Sequence, residues 1–351
     1  MLMYLIIAAL LVVTIFFSFI EERIAESQKV VILSAYVIFM VFLATTKSVE
    51  HTADALNYFY MFNNNTDKLT EIATEPTFIY MSRIVSALGG TIGVIFFLYA
   101  IITIPFKIRT LYQMTPFIFT ALVIYIPVYF ELHDMVQIRA AAAATFLLAS
   151  LLPLCKKQYM IASVLMICAI LFHYSAVCYL PFLFIGNRKL NIIWRVTIAC
   201  LIPLCFAMYL LKMDLFSLIP TSLTEGKLDF YQKSSEKGEW GEMAVLYKNI
   251  YFMPKCAILC LYLYFYDYIV QKHPLAPILI NLFAASILFL LSMATIPVLA
   301  SRISDMYGIV DCIVFTFSLY LVNPKFLVKI GISLIALYSL VYNILFADYF
   351  T

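Results

Sequence analysis

Long apolar runs recur along the whole chain and alternate with short polar segments. A run of about 18 or more apolar residues can cross a bilayer as a helix. The pattern predicts helices over approximately 2–19, 29–46, 84–105, 117–131, 137–154, 159–172, 174–186, 192–211, 249–266, 277–294, 305–321 and 327–346. Because 159–172 and 174–186 are short for full crossings, they form either two short helices or a kinked hairpin that dips into the membrane.

Composition supports a membrane protein with little soluble structure. Of the 351 residues, 64% are hydrophobic and only 12% are charged. We therefore predict an all-α, polytopic integral membrane protein with about 12 transmembrane helices. It would be a single transmembrane domain over 1–351, with outer-face loops 47–83 and 212–248. The net charge of +3 gives no indication of a nucleic-acid partner. The first run has neither a basic start nor a small-residue cleavage site, which favours a retained helix over a signal peptide.

The basic residues fall in alternate short connections, and this predicts an orientation. By the positive-inside rule, loops rich in lysine and arginine face the cytoplasm. The basic loops are those with Arg23 and Lys29, Lys107 and Arg109, Lys156 and Lys157, Arg188, Lys189 and Arg195, Lys272, and Lys325 and Lys329. Both termini and the segments 47–83, 132–136, 212–248 and 295–304, with an apex near 173, are then expected on the outer face.

Three ionisable residues stand at the ends of apolar runs on this outer face: Arg139, His173 and Arg302. A guanidinium offers a fixed fork of donors that matches phosphate and keeps its charge. An imidazole can take a proton from a sugar hydroxyl near neutral pH. Together they suit a lipid-linked phosphate or pyrophosphate leaving group. The alternative interpretation is that the arginines anchor lipid headgroups and that His173 is an ordinary interfacial histidine.

The loop before the third predicted helix carries a second set of candidates. Asp54 and Tyr58 are four residues apart and would share one face of a helix. A carboxylate beside an aromatic ring suits a sugar, although a solvated surface helix would show the same pattern. Glu75 precedes Pro76, a sequence typical of a helix start.

Signals for a cofactor or metal are missing from the sequence. It contains no P-loop, no Gly-rich nucleotide fingerprint and no HExxH motif. The eight cysteines lack zinc-ligand spacing and mostly lie in apolar runs, as expected of small apolar side chains. We expect neither a metal nor a cofactor.

Four stretches carry a resemblance to a known family. They are Asp54-Ala-Leu-Asn-Tyr58 with Glu75-Pro-Thr-Phe78 downstream, Gln137-Ile-Arg139 before an Ala-rich helix, Phe172-His-Tyr-Ser-Ala176 followed by Leu180-Pro181, and Arg302-Ile-Ser-Asp-Met-Tyr307. In this order the chain resembles the EpsG/Wzy-like family of bacterial O-antigen and exopolysaccharide polymerases. It departs from the family pattern at two places: Thr77 stands where the family tends to show glycine, and only Lys47 or His51 represents the basic residue before the Asp loop.

The resemblance implies a metal-independent glycosyltransferase of GT-C-like architecture in the bacterial inner membrane, with its site facing the periplasm or cell exterior. Such an enzyme transfers a glycan from undecaprenyl pyrophosphate to the non-reducing-end sugar of another lipid-linked repeat unit. Its partners would be these donor and acceptor oligosaccharides, membrane lipids, a chain-length regulator and a flippase. The implied catalytic residues are His173, Arg139 and Arg302, and the implied substrate-binding residues are Asp54, Tyr58, Glu75, Gln137 and Tyr307.

Two other functions fit the same pattern. A lipid-linked glycan ligase or a polyprenyl-phosphate sugar transferase would share the cationic outer-face site. A polysaccharide flippase or transporter would not be an enzyme, and about twelve helices is an ordinary number for one. A transporter should place its charges near the bilayer midplane, whereas this pattern places them at one interface.

Overall fold

The chain is helical throughout the part that can be described. The computed structural model describes residues 2–52, 54–67, 74–211, 213, 252–293, 297–347 and 349–350, and these contain helices and no strand. Among them, seven helices are long and apolar enough to cross a membrane, or up to nine if two bent pairs each count as one span. The all-α, multi-pass prediction is confirmed, whereas twelve spans and the GT-C-like architecture remain predictions.

The chain divides into two compact units, Met1–Phe184 with Asp311–Thr351 and Ile185–Val310. The first contains α1 Leu2–Ile20, α2 Glu26–Thr45, α3 Ala55–Asn63, α4 Pro76–Ala87, α5 Ile92–Met114, α6 Ile118–Tyr125, a π-helix Ile126–Val136, α7 Ile138–Cys155, α8 Tyr159–Phe172, a 3-10 helix Tyr174–Tyr179 and α9 Pro181–Ile185, whose last residue is the first of the second unit. After the second unit, the first resumes with α15 Asp311–Val314, a 3-10 helix Phe315–Phe317, α16 Ser318–Leu321, α17 Lys325–Tyr342 and a terminal π-helix Asn343–Ala347.

Among the described residues of the second unit, one helix, Ile192–Leu210, is long and apolar enough to span a bilayer by itself. The helices of this unit are α10 Ile192–Leu210, α11 Phe252–Tyr264, α12 Tyr266–Lys272, α13 Ala276–Ser292 and α14 Pro297–Gly308. Helices α11 and α12 are bent by 84° at Phe265, where the sequence pattern predicted one helix over 249–266. The predicted outer loop 212–248 lies, apart from Met213, outside the described residues.

The predicted helix 84–105 is divided by a glycine pair. Helix α4 ends at Ala87, and Gly89 has φ +72°, a left-handed conformation that favours glycine over other residues. At Gly90 an added Cβ would lie 2.7 Å from Cγ1 of Val85, so the turn also needs a residue without a side chain. The hydropathy pattern continues through this turn because both helices bury apolar residues.

The predicted loop 132–136 is wrong, because helical structure continues to Val136. The π-helix follows directly on α6, and its polar residues point to partners inside the first unit. Asp134 accepts hydrogen bonds from Lys107 Nζ at 3.0 and 2.8 Å and from the Tyr125 hydroxyl at 2.6 Å. Asn343 Nδ2 donates to Glu131 Oε2 at 2.7 Å. A polar run signals a loop only when its side chains must reach water, and here Asp134 and Glu131 find hydrogen-bond partners inside the first unit.

A buried carboxylate fixes the start of α6. Glu21 Oε2 accepts hydrogen bonds from the backbone nitrogens of Phe119 and Thr120 at 3.0 and 3.2 Å, and Lys329 lies 3.2 Å from its Oε1. An anion is favourable at a helix N-terminus, where backbone N–H groups lack helical partners. Glu21 therefore joins the connection between α1 and α2 to both α6 and α17.

The Lys107–Asp134 pair makes a testable contribution to stability. Both side chains are fully buried. Lys107→Met should lower the free energy of unfolding by about 3–5 kcal/mol, because it leaves a buried carboxylate without its cation. Adding Asp134→Asn should recover much of that loss, since the amide can still pair with Tyr125. Melting temperatures of the purified variants in detergent would check this, and equal losses in the single and double variants would contradict it.

Candidate active site

Glu75 lies at the centre of a buried polar cluster in the first unit. It is the residue before α4, with an extended backbone, and Pro76 occupies the first helical position as the sequence predicted. Only 4% of the residue is exposed. Because proline fixes its own φ and disfavours a helical residue before it, the Glu75 side chain is held at the end of α4 rather than on its side.

Arg139 approaches Glu75 from the start of α7. Its Nη1 donates a hydrogen bond to Glu75 Oε2. The guanidinium carbon lies 5.4 Å from the ring centre of Tyr58 and 5.9 Å from that of Phe78, which are cation–π distances. The arginine at the head of an apolar helix, a costly position in a membrane protein, thus has a carboxylate partner and an aromatic surround.

His173 reaches the same carboxylate from a break in the chain. It ends α8, has an extended backbone with φ −157°, and is followed at once by the 3-10 helix. Its Nδ1 lies 2.6 Å from Glu75 Oε1, while its Nε2 has no hydrogen-bond partner among the described residues. We assign the proton to Nδ1, since a carboxylate accepts; Nε2 then carries the free lone pair. The backbone is thus interrupted between the predicted segments 159–172 and 174–186.

A further hydrogen bond holds the two segments together. Thr77 Oγ1, in the first turn of α4, donates to the carbonyl of Leu171 at 2.8 Å. Leu171 is two residues before His173, so this bond fixes the end of α8 against the helix start that carries Glu75. A glycine at position 77 could not make it.

The charge state of Glu75 follows from these contacts. Burial raises the pKa of its carboxyl, but the hydrogen bond from His173 and the charge of Arg139 outweigh burial and bring the pKa to about 2. The group is therefore ionised at every pH at which a cell grows. Its contribution to stability is present above the ordinary carboxyl pKa and is lost only as the pH falls toward 2.

Aromatic rings pack against one another around the polar cluster. Tyr58 and Phe78 have ring centres 5.6 Å apart, and Tyr99 lies 6.3 Å from Phe78 and 5.6 Å from Phe172. Phe172 also stacks on Phe146 at 5.4 Å. Such pairs contribute about 0.5–1.5 kcal/mol each beyond their buried area. These contacts hold Phe172, the residue directly before His173, and Tyr58, whose ring faces Arg139.

Two other predicted residues border this cluster. Asp54 is half-buried just before α3, with φ +59°, and its carbonyl accepts the backbone N–H of Tyr58 at 3.0 Å. Gln137 occupies the single residue between the π-helix and α7. Asp54 is thus the residue directly before the helix of Tyr58, whereas the spacing predicted that both residues lie on one helix face.

Arg302 and Tyr307 belong to the second unit. Both lie on α14, where Arg302 is half-buried and Tyr307 is buried, its ring stacked on Phe289 at 5.2 Å. The first unit by itself thus brings together Arg139, His173, Glu75 and Tyr58. The catalytic role of Arg302 stays a prediction.

Sequence reasoning missed a set of buried ionisable residues next to this cluster. They are Lys107, Glu131, His133 and Asp134, all fully buried or nearly so. π-helical segments are rare and often occur at functional sites. The signal in the sequence was Glu131-Leu-His-Asp134 at the end of an apolar run, where the hydropathy pattern predicted an outer loop over 132–136. The described residues contain no group of His, Cys, Asp or Glu with the arrangement of a metal site.

The fold and the cluster define an all-helical, multi-pass membrane protein with a buried Glu–Arg–His arrangement at the ends of three helices. The chain belongs to the EpsG family, whose model matches residues 30–351. The match covers every residue of the cluster and confirms the family resemblance drawn from the four motifs. Comparison with curated proteins gave no match, and neither did comparison with solved structures.

Proposed function

We propose that this protein is a polysaccharide polymerase. It would transfer a glycan from undecaprenyl pyrophosphate to the non-reducing-end sugar of a second lipid-linked repeat unit, at the outer face of the bacterial inner membrane. Membership of the EpsG family supports a membrane protein of the exopolysaccharide-polymerase type. The observation that carries the proposal is the bridge from Glu75 to both Arg139 and His173, because it prepares a base beside a cation.

His173 is the proposed general base. The carboxylate of Glu75 holds the Nδ1 proton and so orients the ring, which leaves Nε2 to accept the proton of the acceptor hydroxyl. As that proton moves to Nε2, the hydroxyl oxygen forms a bond to the anomeric carbon of the donor. The bond from that carbon to the phosphate oxygen breaks at the same time. The negative charge of Glu75 also stabilises the imidazolium that results.

Arg139 is the proposed partner of the leaving pyrophosphate. Its Nη1 is engaged by Glu75, but a guanidinium has five N–H donors, and Nε has no partner among the described residues. Donors aimed at developing charge in a site that excludes water are worth far more than in solution. Arg302 would be the second cation on the pyrophosphate, and Tyr307, Gln137, Asp54 and Tyr58 would position sugars.

The hydrogen bonds that Glu75 accepts change the role proposed for this residue. Both of its oxygens accept from protein side chains, so Glu75 acts in this proposal through His173 and Arg139 and not by binding a sugar directly. We expect the reaction to proceed without a metal ion, because in this proposal Arg139 and Arg302 supply the positive charge that a metal would otherwise bring to the pyrophosphate.

A reconstituted assay tests the proposal. Purified protein in liposomes, given lipid-linked repeat units, should build a ladder of longer lipid-linked chains, and the ladder should persist in EDTA. Heat-denatured protein and the donor lipid alone are the controls. Transfer to a non-repeat acceptor only would favour a ligase. Movement of the lipid between leaflets without elongation would favour a flippase. Loss of activity in EDTA with recovery on Mg²⁺ would contradict the metal-free mechanism.

A further inference from the structure

Lys47 is buried in the first unit without an acidic partner. Only 5% of the residue is exposed, two residues beyond the end of α2. Its Nζ donates to the backbone carbonyl of Met135 at 2.5 Å and lies 4.2 Å from the ring centre of Phe96. No described carboxylate forms an ion pair with it. A buried charge without a paired counter-charge is costly, and one that persists calls for a partner from outside the chain.

The neighbouring cations are already neutralised. Lys107 is paired with Asp134, and Arg139 is paired with Glu75. Each pair sums to zero charge, so neither by itself balances a pyrophosphate. Among these three cations, Lys47 is the one that has no described carboxylate within ion-pair distance.

Lys47 and Arg139 also adjoin the same group of buried side chains. Phe96, which faces Lys47, belongs to one hydrophobic cluster with Tyr58 and Phe78, which face Arg139. The carbonyl that Lys47 holds belongs to Met135, four residues before Arg139 and at the end of the π-helix. Lys47 therefore lies at the junction where the π-helix gives way to the helix of Arg139.

We propose that Lys47 is a further cationic ligand for the diphosphate of the lipid carrier, acting with Arg139 in the first unit and in addition to the role proposed for Arg302. The inference rests on the proposed polymerase function and adds a binding residue to it. The bond to Met135 would keep the amine at the junction, and its remaining N–H donors would contact a phosphate oxygen.

Protonation of Lys47 should make diphosphate binding depend on pH in a characteristic way. Burial lowers the pKa of Lys47 to about 7, against the opposing charges of Asp134 and Asp54. The other charged groups nearby are Lys107, which Asp134 holds, and the exposed Glu50 and His51 on its own segment. A bound diphosphate would raise the pKa of Lys47. Binding should therefore take up a proton above pH 7 and weaken as the pH rises further.

The experiment measures binding of undecaprenyl diphosphate to the purified full chain in detergent by calorimetry. Lys47→Gln keeps a donor for the Met135 carbonyl but removes the charge, and it should weaken binding by about 10–100-fold. Between pH 7.5 and 9 the wild-type Kd should rise about tenfold, because Lys47 is then largely neutral in the free protein. Lys47→Arg should bind with little change over the same range, since arginine keeps its charge.

Matched controls separate this role from a structural one. Lys29, at the other end of α2, is paired with Glu26 at 2.8 Å, so Lys29→Gln should leave the Kd unchanged. The melting temperature of Lys47→Gln should be no lower than that of the wild type, because a buried charge has been removed. Undecaprenyl monophosphate is the second probe. It should lose less affinity in Lys47→Gln than the diphosphate does, and an equal loss would overturn the assignment to the diphosphate.

The remaining outcomes separate this inference from the proposed function. Wild-type protein that elongates repeat units, with a Lys47→Gln variant that binds undecaprenyl diphosphate as tightly as wild type, would overturn the role of Lys47 alone. The same holds for a wild-type Kd that does not depend on pH. Wild-type protein that neither elongates nor binds the diphosphate would overturn both.

Discussion

Replacing His173 with alanine should lower the rate of glycan transfer by about 10²–10⁴-fold, the range for loss of a general base. The physical reason is the geometry at Glu75: Nδ1 is held at 2.6 Å, and only Nε2 remains to take a proton. The effect should fall on kcat with little change in KM, because the acceptor would still bind but would not be deprotonated. Reconstituted protein and a time course of chain lengthening would measure both constants.

A neighbouring residue provides the control for this variant. Tyr174 follows His173 directly and is 51% exposed, so Tyr174→Ala disturbs the same break without touching Glu75. It should retain most of the wild-type rate. Near-normal transfer by His173→Ala would move the base to another residue, with Asp54 as the next candidate, and would leave the polymerase function standing.

Replacing Arg139 with alanine should abolish detectable polymer in cells. Removal of one donor that stabilises developing charge costs about 10²–10³-fold in rate. The same change also leaves Glu75 buried with one oxygen unpaired, at a cost of about 1–3 kcal/mol or more for a charged group. Arg139→Lys should restore only part of the activity, because an ammonium carries the charge but not the planar fork. Gel ladders of the cell-surface polymer would measure the result.

Expression and membrane insertion must be followed in the same cells. The control is Arg109, an exposed arginine toward the C-terminal end of α5. Arg109→Ala should give a normal ladder and a normal protein level. Arg139→Ala that inserts at the normal level yet still gives full-length polymer would show that Arg139 only anchors the helix.

The helices on which the site is built can be predicted from the amino-acid sequence alone. Apolar runs of membrane length predicted the helices because a bilayer leaves the backbone no other way to pair its polar groups. Arg139 at the head of one run, His173 in the gap after another and Glu75 before a proline were visible without any structure. The reason is that each lies at a chain position where local chemistry begins or ends a helix.

Which of these residues contact one another depends on the tertiary structure. Glu75 is 64 residues from Arg139 and 98 from His173, and no local pattern indicates that one carboxylate serves both. The sequence suggested a sugar ligand for Glu75 because an isolated carboxylate before a helix is consistent with either role. In the structure both oxygens of Glu75 accept hydrogen bonds, from Arg139 and from His173, and its part in binding a sugar stays a prediction.

The π-helix is a second example of structure that the local sequence does not predict. His133 and Asp134 looked like part of an exposed loop because polarity along a chain normally means contact with water. Asp134 pairs with Lys107, 27 residues away, and the adjoining Glu131 pairs with Asn343, 212 residues away, so the polar run lies in a buried helix. Local sequence determines where a helix can form, whereas the balance of buried charge depends on which distant side chains pack together. That balance, which leaves Lys47 without a carboxylate, was decided by the fold.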